Sequence, residues 1–314
     1  MPFGLGEKLR VAFAPPRYIA PPFSGLDLST SGVKAVRLHQ GSHGLVLADY
    51  TAMRLPSGAF TDGEIVDRVA IVDALAVAAR AVGVSATNAA LPESKSYLFT
   101  AMASGTSKPE WRIAIEQRLE ELIPLPPQET AFDIVGVGQG KEGGTAVAGV
   151  GFARRIVEDT LSVFDEAEID VRSLEGEPFA MARALIPAGE TATILLIDVG
   201  KTTTKMAITV GRIPLFATTI SIGGHALTLA VQKHFGVTEA EARKVKAEHG
   251  IVPAPGNEDY LAAMLSTVSA IRDEISRRLE YWQEKEALSG AHEPVTRAIL
   301  AGGNASVRGL PPWL

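Results

Sequence analysis

A chain of 314 residues with 46% hydrophobic and 21% charged residues has ordinary globular composition and room for about two domains, which excludes a small stapled module and low-complexity disorder. Its 30 basic and 36 acidic residues leave a net charge of −6, which offers no footprint for nucleic acid, and the lack of cysteine removes disulfides, thiolate metal sites and cysteine nucleophiles while permitting a reducing cytoplasm. The longest apolar stretches, such as Ala192 to Val199, fall far short of the ~20 residues that cross a bilayer, and the N-terminus lacks a signal-like core, so a soluble chain without a transmembrane segment is expected.

Residues 1–22, with Pro15, Pro16, Pro21 and Pro22 around Lys8 to Phe13, lack a sustained period and read as a flexible leader, with an amphipathic contact to a membrane or partner as the alternative. Strands are expected at Phe23 to Leu28 and Val33 to Leu38 around the polar turn Ser29 to Gly32, then at Leu45 to Met53 after a turn at His39 to Gly44. His39 and His43 have metal-ligand spacing, but in a Gly-containing turn they read as solvated loop histidines. Asp62 to Val82 places Ile65, Val66, Val69, Val72, Leu75 and Ala79 on one helical face ending at Gly83, and a strand follows at Ala86 to Leu91.

Lys108 to Ile123 reads as a helix carrying Trp111, Ile115, Leu119 and Leu122 at helical spacing and stopped by Pro124 and Pro126. Strands at Ala131 to Val137 and Thr145 to Phe152 around a Gly-rich turn, then a helix over Arg154 to Ile169, complete a small α+β unit between two halves. From Thr191 the opening pattern returns: a β run from Ala192 to Ile197, a polar turn from Asp198 to Thr202, and strands at Thr203 to Val210 and Ile213 to Thr219. Aligned without gaps, Leu26-Asp27-Leu28-Ser29 falls on Ile197-Asp198-Val199-Gly200 and Lys34 falls on Lys205, a separation of 171 residues.

A phosphate cradle needs a tight turn of small residues whose backbone N–H groups converge on the anion. Ser29, Thr30, Ser31 and Gly32 suit one such turn, and Gly200, Lys201, Thr202 and Thr203 suit another. Asp27 and Asp198, each ending an incoming strand, could hold Mg²⁺ through its water shell; alternatively each organises its turn through the side chain. Ala298 to Asn304 is a strand running into Gly302 and Gly303, where a purine or sugar could lie against bare backbone with Asn304 beside it.

Taken together, two phosphate hairpins and a later Gly-Gly turn resemble the actin-like ATPase fold, and within it the PilM proteins of type IV pilus assembly. The resemblance rests on Gly25 to Lys34, Ile123-Pro124-Leu125-Pro126, Glu175 to Arg183, Ile197 to Thr204, Ile222 to Thr228 and Ala301-Gly302-Gly303, and covers almost the whole chain. It implies an α/β, ribonuclease H-like fold of duplicated domains: a leader over 1–22, a first actin-like domain over 23–108 plus 174–190, an inserted subdomain over 109–173 like that of FtsA, and a second actin-like domain over 191–314. Two departures stand out. Ser29 takes the place of the usual glycine in the first hairpin, which adds a Cβ where phosphate approaches, and PilM-like chains generally continue beyond the position of Leu314, so the second domain is expected to be C-terminally incomplete.

Several residues carry two readings. Thr238 and Glu241 make a capping box for the helix ending at Gly250, while the resemblance places Glu241 and Lys244 beside the adenosine. Gly223 and Gly224 open a helix whose N–H groups suit an anion, or they allow close packing on the sheet. Glu175 and Glu177 stand where actin-like ATPases often orient the attacking water, or they favour the N-terminus of the helix from Pro178. The stripe on Tyr260 to Leu288 reads as core.

The resemblance implies an ATP- and Mg-binding scaffold on the inner face of the cytoplasmic membrane. Such a scaffold docks the N-terminal tail of a PilN-like membrane protein, between Asp62 to Val82 and Lys108 to Phe152, and contacts other pilus-machinery components; self-association stays open. With the base unassigned, hydrolysis is expected to be slow or absent. The alternatives are an FtsA-like division filament protein, a small-molecule kinase of the same superfamily and a degenerate scaffold without nucleotide.

Overall fold

The computed structural model describes residues 23–41, 44–139, 144–289 and 294–314; the leader, His43 and the Gly-rich turn at 140–143 lie outside the described residues. In chain order the elements are β1 (Phe23–Ser29), β2 (Gly32–Gly41), β3 (Gly44–Met53), β4 (Phe60–Thr61), β5 (Glu64–Ile65), α1 (Arg68–Val82), β6 (Ala86–Leu91) and β7 (Tyr97–Ala103). Next come α2 (Lys108–Glu116), α3 (Leu119–Leu122), β8 (Thr130–Gln139), β9 (Thr145–Ala153), α4 (Arg154–Glu166), β10 (Asp170–Gly176) and α5 (Glu177–Leu185). The last are β11 (Thr193–Val199), β12 (Thr204–Val210), β13 (Ile213–Ile220), α6 (Gly224–Phe235), α7 (Glu239–His249), α8 (Glu258–Ser289) and β14 (Arg297–Ala301). They form two compact units, one of the described residues up to Lys95 with Arg154–Glu175, the other of Ser96–Ala153 with Gly176–Leu314.

The first unit is built on a five-stranded sheet in the order β10-β6-β1-β2-β3. Leu26, Leu28, Val33 and Ala35 from its centre share one core with Ile71, Leu75, Ala78 and Val82 of α1 and with Val163 and Phe164 of α4. Helix α1 starts later than the apolar spacing suggests, because Asp67 caps it by accepting the Ala70 N–H at 3.0 Å and because Glu64–Ile65 pairs with Phe60–Thr61 as a small hairpin. Val66 and Val69, expected on the core face, are therefore 67% and 72% exposed.

In the second unit the four-stranded sheet runs β13-β12-β11-β14. Strand β11 is buried on both faces: Ile194 and Leu196 pack on Ala182 and Ile186, which α5 delivers, while Leu195, Ile197 and Val199 share a core with Leu227, Met264 and Val268 from α6 and α8. This accounts for its continuous apolar run, the signature of a strand covered on two sides. Residues Tyr260, Met264, Val268, Ile271, Ile275 and Trp282 of α8 are buried, as the stripe reading expects.

The duplication is exact in register. Asp27 pairs with Lys34 across β1 and β2, and Asp198 pairs with Lys205 across β11 and β12. Each first strand then has a parallel neighbour on its other side, β6 in one unit and β14 in the other.

The domain limits read from sequence shift at three places. Strand β7 joins β8 and β9 in the order β7-β9-β8, so the inserted sheet begins ahead of 109. Helix α4 leaves the insert, since its Val163 and Phe164 complete the first core. Helix α5 packs on the second sheet through Ala182, with Ile186 just after it. The single helix expected over Lys108 to Ile123 is broken into α2 and α3, although Ile115 and Leu119 keep their core positions.

Phe164 is 1% exposed, and Phe164→Ala is expected to cost about 3–5 kcal/mol through the cavity it leaves. Hydrogen exchange should then speed up in α1, β1 and β6 while the β7-β9-β8 sheet keeps its protection; loss of protection in that sheet instead would return α4 to the insert.

Candidate nucleotide site

The site takes shape where two parallel strands of the second unit end side by side. Strand β11 reaches Asp198 opposite Ala301 of β14, so the phosphate hairpin and the Gly302-Gly303 turn leave the sheet as neighbours. In open α/β sheets the carboxyl ends of parallel strands are where ligands bind. Gly302 has φ of 92°, and a Cβ there would lie 2.1 Å from Asp198 Oδ1 and 2.7 Å from the Val199 carbonyl oxygen. Only glycine lets the turn pass this close to the carboxylate. A Cβ on Gly303 would meet nothing within 4 Å, so this residue offers an open backbone face.

The hairpin at 200–203 closes with the Gly200 N–H donating to the Thr203 carbonyl at 2.9 Å. Lys201 and Thr202 at its tip are exposed. Thr204, the first residue of β12, donates its hydroxyl to the Ile222 carbonyl at 2.8 Å and ties the hairpin to the start of α6. There the packing reading of Gly223 and Gly224 prevails. The Gly224 and His225 N–H groups donate to the carbonyls of Gly200 and Lys201 at 2.9 and 2.7 Å, so these two free donors of the helix end are spent on the hairpin. A Cβ on Gly223 would sit 2.6 Å from the Thr203 nitrogen, and one on Gly224 would sit 2.0 Å from the Asn304 carboxamide.

Asn304 turns its side chain inward. Its Nδ2 donates to the Gly200 carbonyl at 2.8 Å, and its Oδ1 accepts from Lys246 Nζ at 3.0 Å. Lys246 also donates to the Gly224 carbonyl at 2.9 Å. Burial, and secondarily the nearby Arg243, push the Lys246 ammonium below its ordinary pKa. A partly buried cation facing neutral oxygens beside an anion-type hairpin is the kind of perturbed group that clusters at ligand sites.

Sequence reasoning missed Lys246 and picked Lys244 instead. Positions 244 and 246 stand about 200° apart around a helix, at 3.6 residues per turn. The buried Ala242 marks the inner face of α7, and Lys244 points outward, 77% exposed, with its Nζ 3.9 Å from Glu248. The signal that finds Lys246 is its i+4 relation to Ala242, the one residue of α7 that is fully buried. Glu241 forms the capping box: Thr238 N–H and hydroxyl donate to its carboxylate at 2.8 and 2.7 Å, which holds its pKa below the usual range.

Glu177 is the first residue of α5 and meets Lys205, whose Nζ donates to both carboxylate oxygens at 2.5 and 2.6 Å. The two side chains are 17% and 21% exposed, so this is a sheltered ion pair. Glu177 also stands in the first turn of α5, where an acidic side chain favours a helix N-terminus. Glu175 lies in the other unit, near the end of β10.

In the first unit the matching hairpin carries Asp27 and Lys34 as a surface ion pair at 2.9 Å. Ser29 Oγ lies 2.9 Å from Ser31 Oγ and 3.2 Å from the Gly32 carbonyl, so its hydroxyl serves the loop together with Thr30 and Ser31 at the turn. Gly32, with φ of 133°, is the strained position here, since a Cβ on it would fall 1.9 Å from the Met53 carbonyl oxygen.

Gly302→Ala should destabilise the second unit by about 1–3 kcal/mol, the cost of a left-handed backbone combined with a crowded Cβ. Gly303→Ala should stay within about 0.5 kcal/mol, as for an unobstructed surface position. Equal unfolding midpoints for the two variants would show that Gly302 does not abut the Asp198 carboxylate.

Residues 25–314 match the family described as type IV pilus assembly protein PilM. Among solved structures, a PilM-PilN type IV pilus biogenesis complex is similar, at 20% identity and a TM-score of 0.72, covering 92% of this chain and 83% of that one. The ethanolamine utilization protein EutJ from Carboxydothermus hydrogenoformans is similar at 17% identity and a TM-score of 0.54, covering 95% of this chain and 81% of that one. MreB5 of Spiroplasma citri, in its AMPPNP-bound structure, is similar at 16% identity and a TM-score of 0.52, covering 90% and 85%. At these identities the likeness speaks to fold, and all three share the actin-like architecture.

Proposed function

Because the chain belongs to the PilM family of type IV pilus assembly proteins, we propose that it works there as a nucleotide-loaded scaffold whose second unit binds Mg-ATP. The observation that carries this reading is the meeting of Asp198, the 200–203 hairpin and the bare Gly302-Gly303 backbone at the ends of one parallel strand pair. The hairpin tip takes the phosphates, and the open face at Gly303 takes the adenosine. Among the described residues no three His, Asp or Glu side chains converge into a metal cage. Mg²⁺ would therefore be held by phosphate oxygens and water with Asp198 alone from this unit, the mode this reluctantly dehydrated ion favours. The Asp27 hairpin, with Ser29 to Ser31 and Lys34, is the duplicated counterpart in the first unit and is proposed as a phosphate-binding turn of that unit.

Glu177 is a weak candidate for a hydrolytic base, because its carboxylate already holds the Lys205 ammonium. Turnover is accordingly proposed to be slow or absent, and the bound nucleotide to set shape rather than to fuel chemistry. The partner is proposed to be the N-terminal tail of a PilN-like inner-membrane protein, since the similar PilM structure is a PilM-PilN complex. No helix among the described residues is long and apolar enough to cross a membrane. Attachment at the inner face of the cytoplasmic membrane is proposed to come through that partner.

Calorimetry with ATP and Mg²⁺ tests the site. Asp198→Ala should weaken Mg-ATP binding by at least about tenfold, as expected when a charge-bearing ligand contact worth ~1.4 kcal/mol or more is lost. Gly303→Ala should weaken it with little change in stability. Wild-type affinity in both variants would remove Asp198 and Gly303 from the site, and failure of the unaltered chain to bind Mg-ATP would remove the nucleotide reading. The partner claim is tested separately, by whether a PilN-tail peptide is retained by the immobilised chain.

A further inference from the structure

Four segments far apart in sequence meet on one carboxamide. Asn304 Nδ2 donates to the Gly200 carbonyl of the phosphate hairpin at 2.8 Å, and the Asn304 backbone N–H donates to the Val199 carbonyl at 3.1 Å. Its Oδ1 is held by Lys246 Nζ of α7, which also grips the Gly224 carbonyl at the head of α6. Gly224 has no Cβ where the carboxamide packs, so the side chain fits only because that position is glycine. An amide held at both ends in this way cannot rotate to satisfy one partner without releasing the other.

We propose that Asn304, clamped by Lys246, is a positioning residue that couples the Gly302-Gly303 turn to the 200–203 hairpin, so that the site favours ligands carrying both a nucleoside and a pyrophosphate over either fragment alone. The physical route is shared ordering. A phosphate group that rigidifies the hairpin fixes the Gly200 carbonyl, hence the Asn304 side chain and the turn it ends. The nucleoside then binds a turn whose ordering cost has already been met, and the reverse holds by linkage. Lys246 supplies the charge-assisted contact that keeps the amide from swinging away. This inference rests on the nucleotide reading above and adds to it a coupling between its two halves.

The test measures adenosine affinity by calorimetry with and without saturating Mg-pyrophosphate. In the wild-type chain, pyrophosphate should tighten adenosine binding by about tenfold, a size typical of coupled neighbouring groups. In Asn304→Ala the ratio should fall to near unity whatever happens to either affinity alone, a change that a merely structural loss would not produce. A ratio that stays near tenfold in the variant overturns the coupling. A second readout needs no ligand: amide exchange at 200–203 should rise in Asn304→Ala while α8 keeps its protection, and unchanged exchange there also overturns the proposal. Failure of the wild-type chain to bind ATP, adenosine and pyrophosphate alike would sink the nucleotide reading and this coupling with it, whereas ATP binding without a ratio above unity would sink the coupling alone.

Discussion

The parallel pairing of β11 with β14 is the constraint on which the rest of the second unit depends. It sets Asp198 against Ala301, and Gly302, the residue after β14, must then turn away beside a carboxylate with no room for a side chain. The hairpin 200–203, the head of α6, the inner face of α7 and Asn304 are all arranged around that junction by hydrogen bonds to backbone carbonyls. Backbone groups dominate because a sheet end and a helix end both leave unpaired N–H and C=O groups that must find partners. The result is a polar junction held largely by main chain, which the side chains of Asn304 and Lys246 bridge.

The same logic revises the view of α6 as an anion-binding helix end. A helix N-terminus carries free donors, but here the first two of them answer the carbonyls of Gly200 and Lys201. Gly223 and Gly224 are small so that the hairpin and Asn304 can press against the helix end. The helix therefore supports the hairpin from behind, and it is the exposed tip at Lys201 and Thr202 that faces outward. Position in sequence made the glycine pair visible; only the fold shows which of its two uses applies.

Much of the architecture was legible in sequence because it depends on local pattern. The repeated Asp and Lys positions, the alternation of the strands and the stripe along α8 each reflect a periodicity that burial enforces. What was not legible depends on which surface a segment meets. Helix α4 follows the inserted sheet directly in the chain, yet Phe164 completes the core of the first unit, and Ala182 places α5 against the second sheet. Lys246 was overlooked for a related reason: the lysines at 244 and 246 of α7 differ in which helix face they occupy, and that is settled by Ala242 packing into the second core.

The two hairpins show how a duplicated frame can meet one steric demand in two ways. Each loop has one point at which the chain closes against neighbouring backbone. In the second hairpin glycine stands first, at Gly200, where a Cβ would come 2.9 Å from the Thr203 carbonyl oxygen. In the first hairpin it stands last, at Gly32, where a Cβ would collide with the Met53 carbonyl oxygen of the adjoining strand β3. Ser29 can then keep its side chain, which is drawn into the loop by Ser31 and the Gly32 carbonyl. The serine at the head of the turn is thus matched by a glycine at its other end, with Asp27 still paired to Lys34. The strand order around the two hairpins is the same, so the difference lies in what the chain meets: Gly200 closes on its own turn at Thr203, whereas Gly32 closes on the adjoining strand at Met53.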